Sequence, residues 1–141
     1  MSRVLAVDYG LKRMGIALSD PTRTIASPHT TLVRRPGKRP PWTELMRLIE
    51  ENDVNEVVIG LPLDLAGNEG DWAAEVREFG SGLARRCELP IHWIDERMTS
   101  VQAERAVRGS GLKKKQREEK ARVDAAAAAL ILQAYLQQRT R

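Results

Sequence analysis

Several features that would restrict function are missing from the 141-residue sequence. Cys87 is its single cysteine, which excludes an internal disulfide and favours a reducing, cytoplasmic setting. The longest apolar run, residues 125–132, is far below the roughly 18 residues of a membrane span. The chain leads directly into a predicted strand, so no signal peptide is expected. A G-x-x-x-x-G-K-[ST] sequence is absent and the chain is too short for two lobes, which argues against a nucleotide phosphotransferase.

Length and charge indicate one compact domain over residues 1–141, large enough to bury a real core. The 23 Lys and Arg residues outnumber the 19 Asp and Glu residues, which gives a formal net charge of +4. A mildly basic balance permits a nucleic-acid partner without requiring one. We expect no membrane partner, and both a monomer and a homodimer remain open.

The first strong pattern is an apolar run at residues 4–7 that stops at Asp8. An unbroken run of this length is typical of a strand buried on both faces, in the middle of a sheet. A carboxylate at the end of such a strand must be neutralised or must meet a cation, because burial of an unpaired charge is costly. Gly10, two residues later, allows a sharp turn or a close approach to a ligand.

The remaining periodicities predict an α/β protein. Turn residues at 12–15 make the second strand antiparallel to the first, and Asp71 is a candidate N-cap of the second helix. A further helix is expected between Thr99 and Gly111. The predicted order is strands at 16–20 and 25–33, a helix at 42–52, a strand at 56–60, a helix at 71–86, a strand at 90–96 and an alanine-rich helix at 123–136. This order predicts a mixed five-stranded sheet with helices on both sides and the first strand near its centre.

Acidic residues end two of the buried-type strands and open the last predicted helix. They are Asp8, the Asp95-Glu96 pair and Asp124. If they converge at the carboxyl end of the sheet, carboxylates in such numbers need cations between them, and Mg²⁺ or Mn²⁺ suits oxygen ligands. Local alternatives remain open: Asp8 in an Asx turn and Asp124 as a helix N-cap. Strand alternation allows at most one of Asp95 and Glu96 to point inward.

Basic residues concentrate in two segments. Residues 34–41 combine charge with prolines, which predicts an exposed loop that is either a solvated linker or a nucleic-acid contact. Residues 109–122 form the second, denser basic segment. The two histidines and three tryptophans are interpreted as structural: His29, His92, Trp42, Trp72 and Trp93.

Four motifs in order along the chain resemble the bacterial YqgF/RuvX family of pre-16S rRNA nucleases, also described as Holliday junction resolvase-like proteins. They are Val7-Asp8-Tyr9-Gly10 with Gly15-Ile16-Ala17, Val58 to Leu63 with Gly67 to Gly70, Asp95 to Ser100, and Val123 to Ala128. The resemblance implies a ribonuclease H-like fold. It also implies that Asp8, Glu96 and Asp124 are the catalytic carboxylates and metal ligands, and it favours Glu96 over Asp95.

The resulting hypothesis is metal-dependent phosphodiester hydrolysis with Mg²⁺ or Mn²⁺. Basic side chains would hold the nucleic-acid backbone: Lys12, Arg13, Arg97, Lys113, Lys114, Lys115 and Arg117. The resemblance points to 5′-end processing of precursor 16S rRNA, with ribosomal precursor particles as partners. It also allows resolution of DNA four-way junctions. A third hypothesis is a non-catalytic RNA-binding factor in ribosome assembly or transcription.

Overall fold

A computed structural model describes residues 2–34, 39–99 and 114–139, and only the backbone of residues 114–123. The helix predicted between Thr99 and Gly111 lies outside these residues. In the described ranges, no helix combines the length and the continuous apolarity that a bilayer span requires.

Five strands form one mixed sheet, as the sequence predicts. They are β1 (Arg3–Tyr9), β2 (Arg13–Ser19), β3 (Ala26–Val33), β4 (Val54–Leu61) and β5 (Ile91–Asp95). Their spatial order is β3-β2-β1-β4-β5, so the apolar run at residues 4–7 does lie on the central strand. The pairs β1–β2 and β2–β3 are antiparallel, whereas β1–β4 and β4–β5 are parallel. The carboxyl ends of β1, β3, β4 and β5 therefore meet at one edge of the sheet.

The helices are α1 (Trp42–Glu51), α2 (Asp71–Cys87) and α3 (Lys114–Arg139), with a short 3-10 helix at Glu96–Met98. Two local predictions are wrong. Gly70, not Asp71, is the N-cap residue of α2, and it makes no side-chain capping bond. Asp124 does not cap a helix either, because α3 begins ten residues earlier, at Lys114.

Each face of the sheet packs its own core. Leu5 and Val7 of β1 point to the face covered by α1 and α2, whereas Val4 and Ala6 point to the face covered by α3. The alternation is that of a strand with both faces buried, and each fully buried leucine stabilises the fold by about 1.5–3 kcal/mol. The three tryptophans pack, partly buried, against the first of these cores. Their structural interpretation is therefore confirmed.

Glu56 is a buried acid near the amino end of β4, at the edge of the sheet away from the β1 and β4 carboxyl ends. Its carboxylate accepts a hydrogen bond from the Tyr135 hydroxyl at 3.0 Å and pairs with Arg139, also of α3. Arg23 Nη1 and His92 Nε2 lie 3.2 Å from its oxygens. Burial, followed by the bond to Glu56, raises the pKa of Tyr135 to about 12. This network joins the end of α3 to the sheet.

Candidate active site

Asp8 lies in the central strand with only 3% of its surface exposed. It pairs with Gly15 of β2, so it belongs to the strand ladder and not to an Asx turn. On the other side, Gly60 of β4 follows Ile59, which pairs with Val7. By strand alternation Asp8 faces the α3 side, as Ala6 does. A glycine therefore flanks this carboxylate on each neighbouring strand.

Glu96 reaches the same part of the sheet from the end of β5. It begins the 3-10 helix and is 2% exposed. A Cβ atom on Gly60 would lie 2.8 Å from Glu96 Oε1 and 3.1 Å from its Cγ. The Glu96 side chain thus lies directly over Gly60, beside the ladder position of Asp8, and it occupies space that any other residue at position 60 would fill.

Asp95 takes the opposite direction. Its Oδ1 accepts a hydrogen bond from the Arg97 amide at 2.9 Å, and its Oδ2 lies 2.7 Å from Arg97 Nη2. The side-chain bonds from Arg97 hold the pKa of Asp95 below its usual value. Of the two neighbouring acids, Glu96 is therefore the inward one, in agreement with the resemblance.

Asp124 is brought to the site by α3, which crosses close to β2. A Cβ on Gly15 would lie 1.9 Å from the Asp124 carbonyl oxygen, so the absence of a side chain there permits the approach. Oδ2 of Asp124 accepts a hydrogen bond from Arg13 Nε at 3.3 Å. The backbone of α3 thus lies over Gly15, the residue that pairs with Asp8 in the sheet.

The three predicted carboxylates therefore come from different elements to one end of one sheet face. Among the residues that the structure describes, no group of three or more His, Cys, Asp or Glu side chains has the spacing of a ready-made metal cage. The chemistry of these side chains fits a hard divalent ion, because all three supply carboxylate oxygens. Asp8 and Glu96 are buried, and Gly15 and Gly60 have no side chains that would fill the space beside them. Arg13 forms an ion pair with Asp124 and so supplies one positive charge beside the three carboxylates.

Some of the basic residues predicted to contact nucleic acid lie at the edge that carries the acids, and the others lie outside the described part of the chain. Lys12, Arg13 and Arg97 all lie at this edge of the sheet, on the β1–β2 hairpin or just after β5. Arg13 pairs with Asp124, and Arg97 pairs with Asp95 and donates to the Leu65 carbonyl oxygen at 3.3 Å. Lys113 lies outside the described residues, as do the side chains of Lys114, Lys115 and Arg117.

The sequence pattern predicts a turn at Gly15 and gives no role to Gly60, whereas the structure places Gly15 inside β2, and the two glycines make the approach of Asp124 and Glu96 possible. A glycine inside a strand pattern is the signal that could have found them, since it marks close contact with another group. Arg34, predicted only as part of an exposed loop, lies 4.5 Å over the Tyr9 ring and donates to the Gly10 carbonyl oxygen at 3.2 Å. Burial raises the pKa of the Tyr9 hydroxyl, and the Arg34 charge partly opposes that rise.

The sheet order and the acids at its carboxyl edge define a ribonuclease H-like protein, and solved structures support this fold. RuvC of Thermus thermophilus, solved in complex with a Holliday junction substrate, aligns with a TM-score of 0.54 at 12% identity, over 99% of this chain and 96% of RuvC. The yeast mitochondrial Holliday junction resolvase Ydc2 aligns with a TM-score of 0.53 at 15% identity, over 99% and 79% of the two chains. At these identities the likeness shows the fold alone.

The chain belongs to the RuvX family, whose model, described as Holliday junction resolvase, matches residues 2–138. A protein of Koribacter versatilis is 43% identical over 137 residues, which cover 97% of this chain and 88% of that protein. A protein of Maridesulfovibrio salexigens is 40% identical over 134 residues, covering 95% and 97%. Both relatives are named "Putative pre-16S rRNA nuclease". The predicted family and the predicted fold are confirmed.

Proposed function

We propose that this chain is a single-domain, divalent-metal-dependent nuclease that processes the 5′ end of precursor 16S rRNA. The observation that carries the proposal is the position of Asp8 between Gly15 and Gly60, with Glu96 over one glycine and the Asp124 backbone over the other. Carboxylate oxygens that reach one sheet face from different elements are the donors that a hard divalent ion prefers. The names of the relatives supply the RNA substrate.

Asp8, Glu96 and Asp124 would hold Mg²⁺ or Mn²⁺. Such an ion, when bound, activates water for attack on phosphorus and stabilises the negative charge that develops on the phosphate oxygens. The burial of Asp8 and Glu96 keeps both carboxylates in fixed positions before substrate arrives. Lys12 and Arg97, at the same edge, provide positive charge for the flanking phosphates of the strand.

The test is a cleavage assay with Mg²⁺ or Mn²⁺ on a 5′-extended 16S rRNA fragment. Asp8→Asn and Glu96→Gln should each lower turnover by about 100-fold or more while the fold is retained, because each removes a ligand charge. Asp95→Asn is the matched control, since it removes a charge next to Glu96 from a side chain that pairs with Arg97. Equal losses in Glu96→Gln and Asp95→Asn would contradict the assigned role of Glu96, and full activity of Asp8→Asn would refute the mechanism.

A second candidate is cleavage of DNA four-way junctions, which is favoured by the description of the family and by nothing in the geometry beyond the shared fold. A junction offered in parallel with the RNA separates the two. Paired cuts in the junction with the RNA left intact would move the assignment to a resolvase. Metal-independent RNA binding without any cleavage would replace both with a non-catalytic binding factor.

A further inference from the structure

Large apolar side chains that the fold leaves in solvent are concentrated at the edge that carries the acids. Five such side chains are strongly exposed in the described residues: Leu11 (62%), Ile25 (62%), Val33 (75%), Leu65 (95%) and Met98 (66%). All except Ile25 follow or end strands whose carboxyl ends meet at this edge. Single exposed apolar residues are ordinary, whereas here four of the five are distributed along the same edge of the sheet. We refer to Leu11, Val33, Leu65 and Met98 as the apolar rim.

Each member of the apolar rim lies beside a cation. In sequence, Leu11 precedes Lys12, Val33 precedes Arg34 and Met98 follows Arg97. Leu65 is joined to the same Arg97 through its carbonyl oxygen, at 3.3 Å. Apolar contact area and positive charge therefore lie close together at this edge, whereas Ile25, at the other end of the sheet, has Thr24 and Ala26 as neighbours.

The loop that presents Leu65 is held by hydrogen bonds to the side chain and the backbone of Asp64. Oδ1 of Asp64 accepts hydrogen bonds from the amides of Ala66 at 2.9 Å and Asn68 at 2.8 Å, and the Asp64 carbonyl accepts one from Gly67 at 2.9 Å. Gly67 adopts a φ of +89°, which closes the turn. None of these bonds uses the Leu65 side chain. The turn thus fixes the position of a leucine whose side chain contributes no burial to the fold.

We infer that the apolar rim binds the bases of unpaired nucleotides while the neighbouring cations hold their phosphates, which makes single-stranded nucleic acid the preferred substrate. This inference rests on the proposed nuclease function and names the strand class on which it acts. In a duplex the base faces are stacked inside and only the backbone and groove edges are offered to a protein. In a single strand the bases are unstacked and can turn outward to contact protein side chains. The neighbouring cations favour this occupant over an apolar protein segment.

The experiment measures binding of full-length protein that carries Asp8→Asn, so that no substrate is cut. The probes are a fluorescent unstructured RNA and a hairpin RNA of equal length, and affinity is followed by anisotropy over a salt series. The test variant adds Leu11→Ser, Leu65→Ser and Met98→Ser, and the control adds Ile25→Ser, whose side chain is as exposed as that of Leu11. Thermal melting verifies that each variant is folded.

The rim variant should bind the unstructured RNA about tenfold more weakly, a change of about 1.4 kcal/mol. Its affinity for the hairpin should hold within about twofold, and its salt dependence should be unchanged because no charge is removed. The Ile25→Ser control should bind both probes like the parent. Equal losses on both probes, or no loss, would overturn the inference, and unaltered RNA binding would direct attention to a protein partner at the rim. Cleavage by the otherwise unmodified chain is scored separately, so failure of the rim leaves the nuclease proposal standing.

Discussion

Arg13 Nε lies 3.3 Å from Oδ2 of Asp124, a contact between residues 111 positions apart that joins β2 to α3. Both side chains are about four-fifths buried, so solvent screens the pair less than it would an exposed one. Arg13 therefore places a fixed positive charge on a carboxylate that the proposed mechanism assigns to a metal ion. We predict that Arg13 competes with a metal ion for the Asp124 carboxylate.

Arg13→Gln should accordingly lower the metal concentration needed for half-maximal cleavage by about 3- to 10-fold. The reason is that the variant keeps a polar side chain but removes the competing charge. Lys12→Gln is the control, since it removes the same charge one residue away and should leave the metal requirement unchanged. A titration of cleavage rate against Mn²⁺ measures both, and an unaltered midpoint in Arg13→Gln would show that the pair does not compete with metal.

Gly60→Ala should disrupt the site and the core together. The new Cβ would lie 2.6 Å from Ile131 Cδ1 and 2.8 Å from Glu96 Oε1, so both side chains must move. We expect a loss of about 1–3 kcal/mol in the free energy of unfolding. Cleavage should fall by about tenfold or more, since a displaced ligand is costly to catalysis. Denaturant unfolding and initial rates measure the two effects.

Gly70→Ala is the matched control for that substitution. A Cβ at Gly70 would meet nothing within 4 Å, and its φ of −94° is open to any residue. The variant should therefore retain its activity and change stability by less than about 1 kcal/mol. Equal damage from the two substitutions would mean that contact with Glu96 is not the cause of the Gly60→Ala defect.

Glu56→Gln should destabilise the fold by about 2–4 kcal/mol, because it leaves Arg23, Arg139 and His92 around a neutral amide. Glu51→Gln removes an exposed acid that lies 4.0 Å from Arg47, and it should cost less than about 0.5 kcal/mol. Urea unfolding of the two variants gives the comparison. A loss for Glu56→Gln no larger than that for Glu51→Gln would show that the buried network adds no stability.

The raised pKa of Tyr135 predicts that the folded protein loses stability at alkaline pH. Its pKa is raised from an ordinary value of 10.0 to about 12, first by burial and then by its bond to Glu56. A pKa that is higher in the folded state gives stability that is complete below pH 10 and is lost as pH rises through 12. Tyr135→Phe should weaken the fold by about 1 kcal/mol at neutral pH and should show a smaller further loss between pH 10 and 12. Tyr9, whose pKa is also raised by burial, keeps part of that loss in the variant.

The parts of the fold that the sequence predicts are those fixed by local periodicity. The apolar run before Asp8 predicts the central strand, and the polar and glycine residues after it predict the antiparallel hairpin, although the turn is shorter than expected because β2 begins at Arg13. The start of α3 was missed because residues 114–122 are almost all charged or polar and carry no apolar period, so Asp124 resembled a cap. The pairing of Asp124 with Arg13 is equally invisible, since it depends on the crossing of two elements far apart in sequence. Strand alternation alone does not decide which of Asp95 and Glu96 points inward. The 3-10 helix after β5 decides it, because Asp95 caps that helix while Glu96, its first residue, is buried.

Helix α3 is fixed to the sheet at two separated points: the Asp124 carbonyl against Gly15, and the ends of Tyr135 and Arg139 on Glu56. The fifteen residue-to-residue steps from Asp124 to Arg139 make about four turns of continuous helix, about 22 Å long. We predict that conditions that loosen the far attachment, such as strong alkali or a neutral residue in place of Glu56, also lower turnover, because the same helix carries Tyr135 and Asp124.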